Sequence, residues 1–186
     1  HEYRVRYTIS YAHGPRATPV IDDDRVYFVG AQGNLFCRNV TDGSVIWQKS
    51  YEKDFGTEMP AWGMAASPLI DGDKLISLVG GKEDGLVICL NKFTGNEMWR
   101  ALNDQDVGYC PPVIYEFGGR RQLIIWHPSA ISSLDPDTGT ILWEIPWAIK
   151  AGLCVPMPRK IDDRLFLTSF YEGPHMLKVN ADHAEI

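Results

Sequence analysis

Cys37-Arg38-Asn39-Val40-Thr41-Asp42-Gly43-Ser44-Val45-Ile46-Trp47 is a stretch that returns twice. It comes back as Cys89-Leu90-Asn91-Lys92-Phe93-Thr94-Gly95-Asn96-Glu97-Met98-Trp99 and as Ser133-Leu134-Asp135-Pro136-Asp137-Thr138-Gly139-Thr140-Ile141-Leu142-Trp143. Each copy has a small residue first, Asn or Asp third, Gly seventh and Trp eleventh. Self-similarity at a fixed spacing marks a repeat architecture. A second marker keeps the same beat: Pro19, Pro68, Pro112 and Pro156 recur every 44 to 49 residues. Periods of roughly 40–50 residues with several short strands per unit are the signature of propeller blades.

The first unit divides into four strands. Thr18 to Ile21 is the inner one, and Asp22-Asp23-Asp24 supplies turn chemistry. Arg25 to Ala31 is β-branched and aromatic, Asn34 to Val40 follows, and Val45 to Lys49 is the outer strand after the Thr41-Asp42-Gly43 turn. The other units repeat this, with turns at Asp71-Gly72-Asp73, Phe117-Gly118-Gly119 and Asp162-Asp163. No helix of two turns or more is expected.

The eleven-residue pattern resembles the tryptophan-docking motif of the PQQ-like β-propeller repeat family. In that family the Trp packs between adjacent blades and the turn hydrogen-bonds to the neighbouring motif. The resemblance assigns these structural roles to Trp47, Trp99 and Trp143, with Gly43, Gly95 and Gly139. Departures are Asp42 in place of Thr, and Cys37 and Cys89 where Ala is usual. A fourth copy from Lys178 keeps Asn180 but loses Thr-Gly, and its Trp would fall beyond Ile186.

The expected fold is therefore an all-β partial propeller of about four four-stranded blades, one domain over residues 1–186. Residues 1–10 are read as the outer strand of a preceding blade. Blades are expected over 17–50, 66–101 and 110–147, with an incomplete last blade over 154–180. An open arc exposes edge strands that invite association. A homodimer closing an eight-bladed ring is the favoured outcome, and four blades closing alone is the alternative.

The chain of 186 residues is 45% hydrophobic and 23% charged, which is a globular composition. The net charge is −6, and no basic cluster exceeds Arg120-Arg121, which argues against nucleic acid as a partner. No apolar run approaches the roughly 18 residues of a transmembrane span. The four cysteines are widely spaced without a Cys-x-x-Cys pair, so no zinc site is expected. Buried free thiols are the default, with Cys110–Cys154 pairing as the alternative.

Ligand sites in propellers are sought by analogy at the mouth of the central channel. The segments entering the inner strands bring His13, Arg16, Trp62, Met64, Tyr109 and Lys150 there, a polar-aromatic rim suited to an anionic or planar ligand. The competing reading is ordinary surface over glycines that permit close backbone approach. His127 has no carboxylate near it in sequence, so it reads as a packing or surface residue, as do His13 and His175. The acidic turns invite calcium, but their recurrence at one hairpin argues for turn chemistry. No metal site, catalytic residue or Gly-x-Ser-x-Gly motif is identified.

The family name raises the question of a quinone. Quinoprotein dehydrogenases of this fold carry a vicinal Cys-Cys ring and calcium ligands, and neither is found here. The resemblance implies a non-catalytic propeller presenting a face to a protein or other ligand, extracytoplasmic or periplasmic and bacterial. No cofactor is expected. The alternative is a piece of a PQQ- and calcium-dependent alcohol-dehydrogenase-like oxidoreductase. Sugar recognition by Trp62 and Tyr109 is a third reading.

Overall fold

The computed structural model describes residues 14–104 and 106–186. The strand expected in residues 1–10 lies outside the described residues, as does His13. The chain is all-β and is built as propeller blades. It divides into two compact units, His1–Asn103 and Asp104–Ile186, each with two four-stranded antiparallel meanders.

In the first unit, β1 (Val20–Asp22), β2 (Arg25–Val29), β3 (Asn34–Asn39) and β4 (Val45–Ser50) form one sheet in chain order. After them comes α1 (Tyr51–Phe55), a single turn capped by the Ser50 side chain and ended by Gly56 in the left-handed region. The second sheet is β5 (Leu69–Asp71), β6 (Lys74–Leu78), β7 (Val87–Asn91) and β8 (Glu97–Ala101). Tyr27, Leu35, Cys37, Leu75, Ile76 and Ile88 are fully buried in this unit. Buried Tyr51 ties α1 to the second sheet through a 2.7 Å hydrogen bond with Ser77.

The second unit holds β9 (Val113–Phe117), β10 (Arg120–His127), β11 (Ala130–Leu134) and β12 (Ile141–Pro146). It ends with β13 (Arg159–Ile161), β14 (Arg164–Ser169), β15 (Gly173–Val179) and the two-residue β16 (Ala184–Glu185). Its core joins Ile124, Trp126, Ile131 and Trp143 of the third sheet to Leu165, Leu167, Leu177 and Val179 of the fourth.

The recurring eleven residues are a hairpin with a fixed internal logic. First and eleventh residues are cross-strand partners: Cys37 with Trp47, Cys89 with Trp99, Ser133 with Trp143. A small residue opposite the indole leaves it room. Directly after each first residue the register shifts, a bulge that strengthens the twist. The third residue caps the turn with its side-chain oxygen, as Asn39 does for the Thr41 amide at 2.7 Å. Asn91 does so for Phe93 and Thr94, and Asp135 for Asp137 and Thr138. Its carbonyl accepts the amide of the seventh-place glycine in all three copies, at 2.8–2.9 Å. Asn180 caps Asp182 and His183 likewise, but its amide donates to the His183 carbonyl, so this turn is shorter.

The acidic turns have a backbone explanation. Asp23, Gly72, Gly118 and Asp162 occupy equivalent left-handed positions, with φ between 51° and 58°. Asp tolerates this region better than most side chains, and Gly tolerates it best.

Candidate functional site

Trp47 shows how one blade grips the next inside the first unit. Its indole Nε1 donates to the Lys92 carbonyl at 2.9 Å, and the Tyr27 hydroxyl donates to the same oxygen at 3.2 Å. The indole lies flat against Gly95, where an added Cβ would sit 2.9 Å from the ring. Arg25 donates to the Phe93 carbonyl at 3.1 Å and holds its guanidinium 5.0 Å from the Phe93 ring. The Lys92 ammonium pairs with Asp22 at 2.5 Å. Trp143 in the second unit uses a relay instead. Its Nε1 and the Ser133 hydroxyl both donate to Gln122 Oε1, and Gln122 Nε2 donates to the Asn180 carbonyl at 2.6 Å. Trp99 is half-buried, and its Nε1 has no hydrogen-bond partner among the described residues.

A polar network absent from the sequence reading lies in the third blade. His127, at the end of β10, meets Asp104 through Nδ1 at 2.5 Å and Ser132 through Nε2 at 3.0 Å. Asp104 also accepts from the Ser129 amide at 2.9 Å and its hydroxyl at 2.8 Å. The His127 and Asp104 side chains are only 3% and 2% exposed. His127 is thus buried, and its carboxylate partner is one the sequence reading did not find. Asp104 is 23 residues away, so no local pattern pointed to it.

The order Asp–His–Ser is that of acyl-transfer triads, which are recognised by geometry rather than sequence position. Here the geometry stops short of that chemistry. Ser132 is fully buried, and its hydroxyl donates to Glu144 Oε2 at 2.7 Å. A sealed hydroxyl whose proton is already committed offers no nucleophile. The network's physical role is to tie the linker before β9 to the β10–β11 hairpin. The fourth blade repeats the device: Glu172 accepts from the Lys150 amide at 3.1 Å and from the Ser169 hydroxyl. The Ser169 hydroxyl, with the Lys150 amide, holds the Glu172 carboxyl below its ordinary range despite the opposing cost of desolvation.

The other rim residues are placed as follows. Arg16 is half-buried and donates to the Gly14 carbonyl at 3.2 Å. Trp62 is half-buried, whereas Met64 is buried and its amide donates to the Ala31 carbonyl. Gly63 between them is required, since a Cβ there would come within 2.7 Å of that carbonyl oxygen. In the second unit Tyr109 is buried, with its amide on the Cys154 carbonyl. Lys150 is exposed, its ammonium 4.6 Å from the Tyr171 ring centre. Beside it opens an apolar cleft of about 390 Å³, lined by Leu153, Val155, Pro156, Thr168, Ser169 and Phe170. Phe170 is 83% exposed.

All four cysteines are free and buried. Burial pushes the Cys110 thiol up to about 12, and burial with neighbouring acidic groups raises Cys154 as well.

The sequence over residues 6–152 matches the family described as outer membrane protein assembly factor BamB. The chain belongs to this family of PQQ-like propellers. No curated protein is a significant sequence match. Among solved structures, BamB from Moraxella catarrhalis is 18% identical with a TM-score of 0.66, covering 94% of this chain and 49% of its own. This chain thus spans about half the length of that protein. The computationally designed Ika4 protein is 11% identical with a TM-score of 0.59, covering 93% of this chain and 96% of its own. Quinohemoprotein alcohol dehydrogenase from Comamonas testosteroni is 21% identical with a TM-score of 0.51, over 72% of this chain and 21% of its own. At these identities the likeness is one of fold.

Among the described residues no three His, Cys, Asp or Glu side chains converge to hold a cation. Trp126 and Trp147 do stack, at 5.3 Å between ring centres, and His175 lies tilted against Trp147 at 4.0 Å. Trp126 is 1% exposed within the core, so that stack offers no open ring face for a planar cofactor at its inner end. No helix among the described residues is long and apolar enough to cross a membrane.

Proposed function

We propose that this chain is a non-catalytic PQQ-like propeller scaffold that presents its loop side to a protein partner in an extracytoplasmic compartment. It works as a homodimer in which two four-blade copies complete one ring. Trp47, Trp99 and Trp143, with Gly43, Gly95 and Gly139, act as its docking residues.

One observation carries the binding reading. On the loop side of the second unit the polar groups are turned inward on each other, while the apolar cleft at Leu153, Val155, Pro156 and Phe170 stays open. Carboxylates engaged in internal hydrogen bonds are poor general bases, and an open apolar surface rimmed by polar groups suits a partner's side chains. The likeness to an outer membrane protein assembly factor supports a protein as that partner and a site outside the cytoplasm.

The test is photo-crosslinking from position 155, on the same cleft, of the whole chain in its native compartment. A defined partner crosslinked there, and no longer captured by Phe170→Asp, is the expected result. Equal capture of the same partner by wild type and Phe170→Asp would overturn the reading. Stoichiometric, calcium-dependent binding of pyrroloquinoline quinone by the assembled protein would favour the oxidoreductase alternative.

A further inference from the structure

One hairpin of the first unit is longer than its counterparts. Residues 79–86 join β6 to β7, whereas the matching connections of the other sheets are residues 30–33, 128–129 and 170–172. The extra length reads Gly80-Gly81-Lys82-Glu83-Asp84-Gly85, with glycine on both sides of three charged residues. It folds back against the end of α1. The Lys82 amide donates to the Phe55 carbonyl at 3.0 Å. A Cβ on Gly81 would come within 2.9 Å of that oxygen and 3.0 Å of the Phe55 Cβ, so the close approach requires glycine there. The Gly81 amide donates to the Gly85 carbonyl at 2.7 Å and closes the segment on itself.

This closed form works against its own backbone. Glu83 and Asp84 are consecutive residues at φ 55° and 60°, the pattern of a type I′ turn, whose usual occupants are Asn and Gly. Glu lacks the short polar side chain that eases Asn into the left-handed region. At the base of the segment, buried Leu102 stands at φ 65°, where a bulky side chain is an outlier. Its carbonyl accepts the Leu86 amide at 3.0 Å. Strain of this kind persists only where the surroundings override it. At the tip a two-bond clasp does so: the Asp84 amide donates to Asn103 Oδ1 at 3.1 Å, and Asn103 Nδ2 donates back to the Asp84 carboxylate. Lys82 also reaches Glu58 at 3.9 Å, but these side chains are 70% and 91% exposed, so that pair contributes little. Lys82, Glu83, Asp84 and Asn103 are all exposed. A segment with few buried contacts and exposed hydrogen bonds opens well before the whole structure does.

We propose that residues 80–85 form a strained strap, which the Asp84–Asn103 clasp holds down on Phe55 and which opens as a local unit while β6 and β7 stay folded. The flanking glycines are its hinges. Opening lets Glu83 and Asp84 return to ordinary backbone, so the strain favours the open form and the clasp favours the closed one. Two opposed contributions of this kind make the strap a two-state element. Displacing Asn103 from Asp84 therefore opens it and uncovers Phe55, which the closed strap keeps buried.

Hydrogen exchange of the whole chain, read by mass spectrometry on the peptides of the strap, β6 and β7, tests this. The Gly81, Lys82 and Asp84 amides are hydrogen-bonded in the closed strap, so their exchange reports its opening. In wild type, low denaturant should leave strap exchange unchanged, while β7 exchange rises with global unfolding. Asn103→Ala removes both clasp bonds and should speed strap exchange at least about tenfold, with β6 and β7 unaltered. Glu83→Asn should slow it about threefold, because Asn takes the left-handed backbone at lower cost. The opposite signs separate a strained strap from an ordinary loop, in which the residue at 83 is immaterial. The wild-type denaturant dependence and Glu83→Asn decide the matter even if Asn103→Ala fails to fold. Strap exchange in step with β7, no acceleration in folded Asn103→Ala, or no slowing in Glu83→Asn would each overturn the proposal.

Discussion

At Gly95 a single hydrogen atom decides whether two blades meet. Gly43 and Gly95 share a left-handed backbone, at φ 70° and 72°, so Ala at either position carries the same conformational strain. Among the described residues, the added methyl meets an indole at Gly95, at 2.9 Å, and meets nothing within 4 Å at Gly43. Gly95→Ala is therefore expected to cost about 1–3 kcal/mol more than Gly43→Ala, the usual cost of overpacking. Urea unfolding at protein concentrations low enough to disfavour association measures the difference. Equal costs would mean that Trp47 yields without loss. The cysteines make a second test at this scale. Their burial, with Cys110 raised to about 12, predicts no alkylation in the folded protein at pH 8 and four adducts after unfolding, read by mass spectrometry. Rapid labelling of any one of them in native protein would contradict this.

Among the elements, the linker before β9 is held by side chains rather than by a ladder. Asp104 reaches across to His127 and Ser129 on the β10–β11 hairpin, and Ser132 passes the connection on to Glu144 of β12. Removing one member of a buried, charge-assisted pair leaves the other without compensation. His127→Ala should destabilise the protein by about 3 kcal/mol. Asp104→Asn should cost less, because its amide oxygen still accepts from Ser129. Denaturant midpoints of the two variants test the order, and a negligible effect of His127→Ala would show that the network carries no stability. The repeating hairpin was legible from the sequence because its logic is local. The small residue, the capping Asn or Asp, the glycine and the Trp all act within eleven residues. His127–Asp104 was not legible, because a 23-residue separation is bridged only when the linker before β9 folds against the β10–β11 hairpin.

For the whole molecule, acid is the informative variable. The Ser44 side chain and amide hold Asp42 below the ordinary carboxylate range, and Arg100 does the same for Glu97 through two 2.7 Å bonds. A carboxyl whose folded value is lowered contributes stability that is fully present above its unfolded value. That contribution is lost as pH falls through the folded value. Stability should thus be level near neutrality and decline on acidification below the ordinary carboxylate range. Replacing Glu97 with Gln should flatten that decline slightly, as followed by thermal unfolding from pH 7 to pH 3. A decline beginning well above the carboxylate range would point to other groups.

By itself the sequence determined the blade: a repeat of four short strands whose turns, bulges and cross-strand Trp pairs are dictated by neighbouring residues. It also implied the family, because the motif's spacing is that of its hairpin. Only the tertiary structure decided that the Asn91–Asn96 turn is covered by Trp47, since Gly43 and Gly95 read alike until a neighbouring blade arrives. It likewise decided that His127 is a buried tie, and that Met64 and Tyr109 lie buried while Phe170 stands exposed. The physical reason is one of range. Backbone caps and strand pairing act over a few residues, whereas burial, indole seating and carboxylate partners depend on which distant segments pack together.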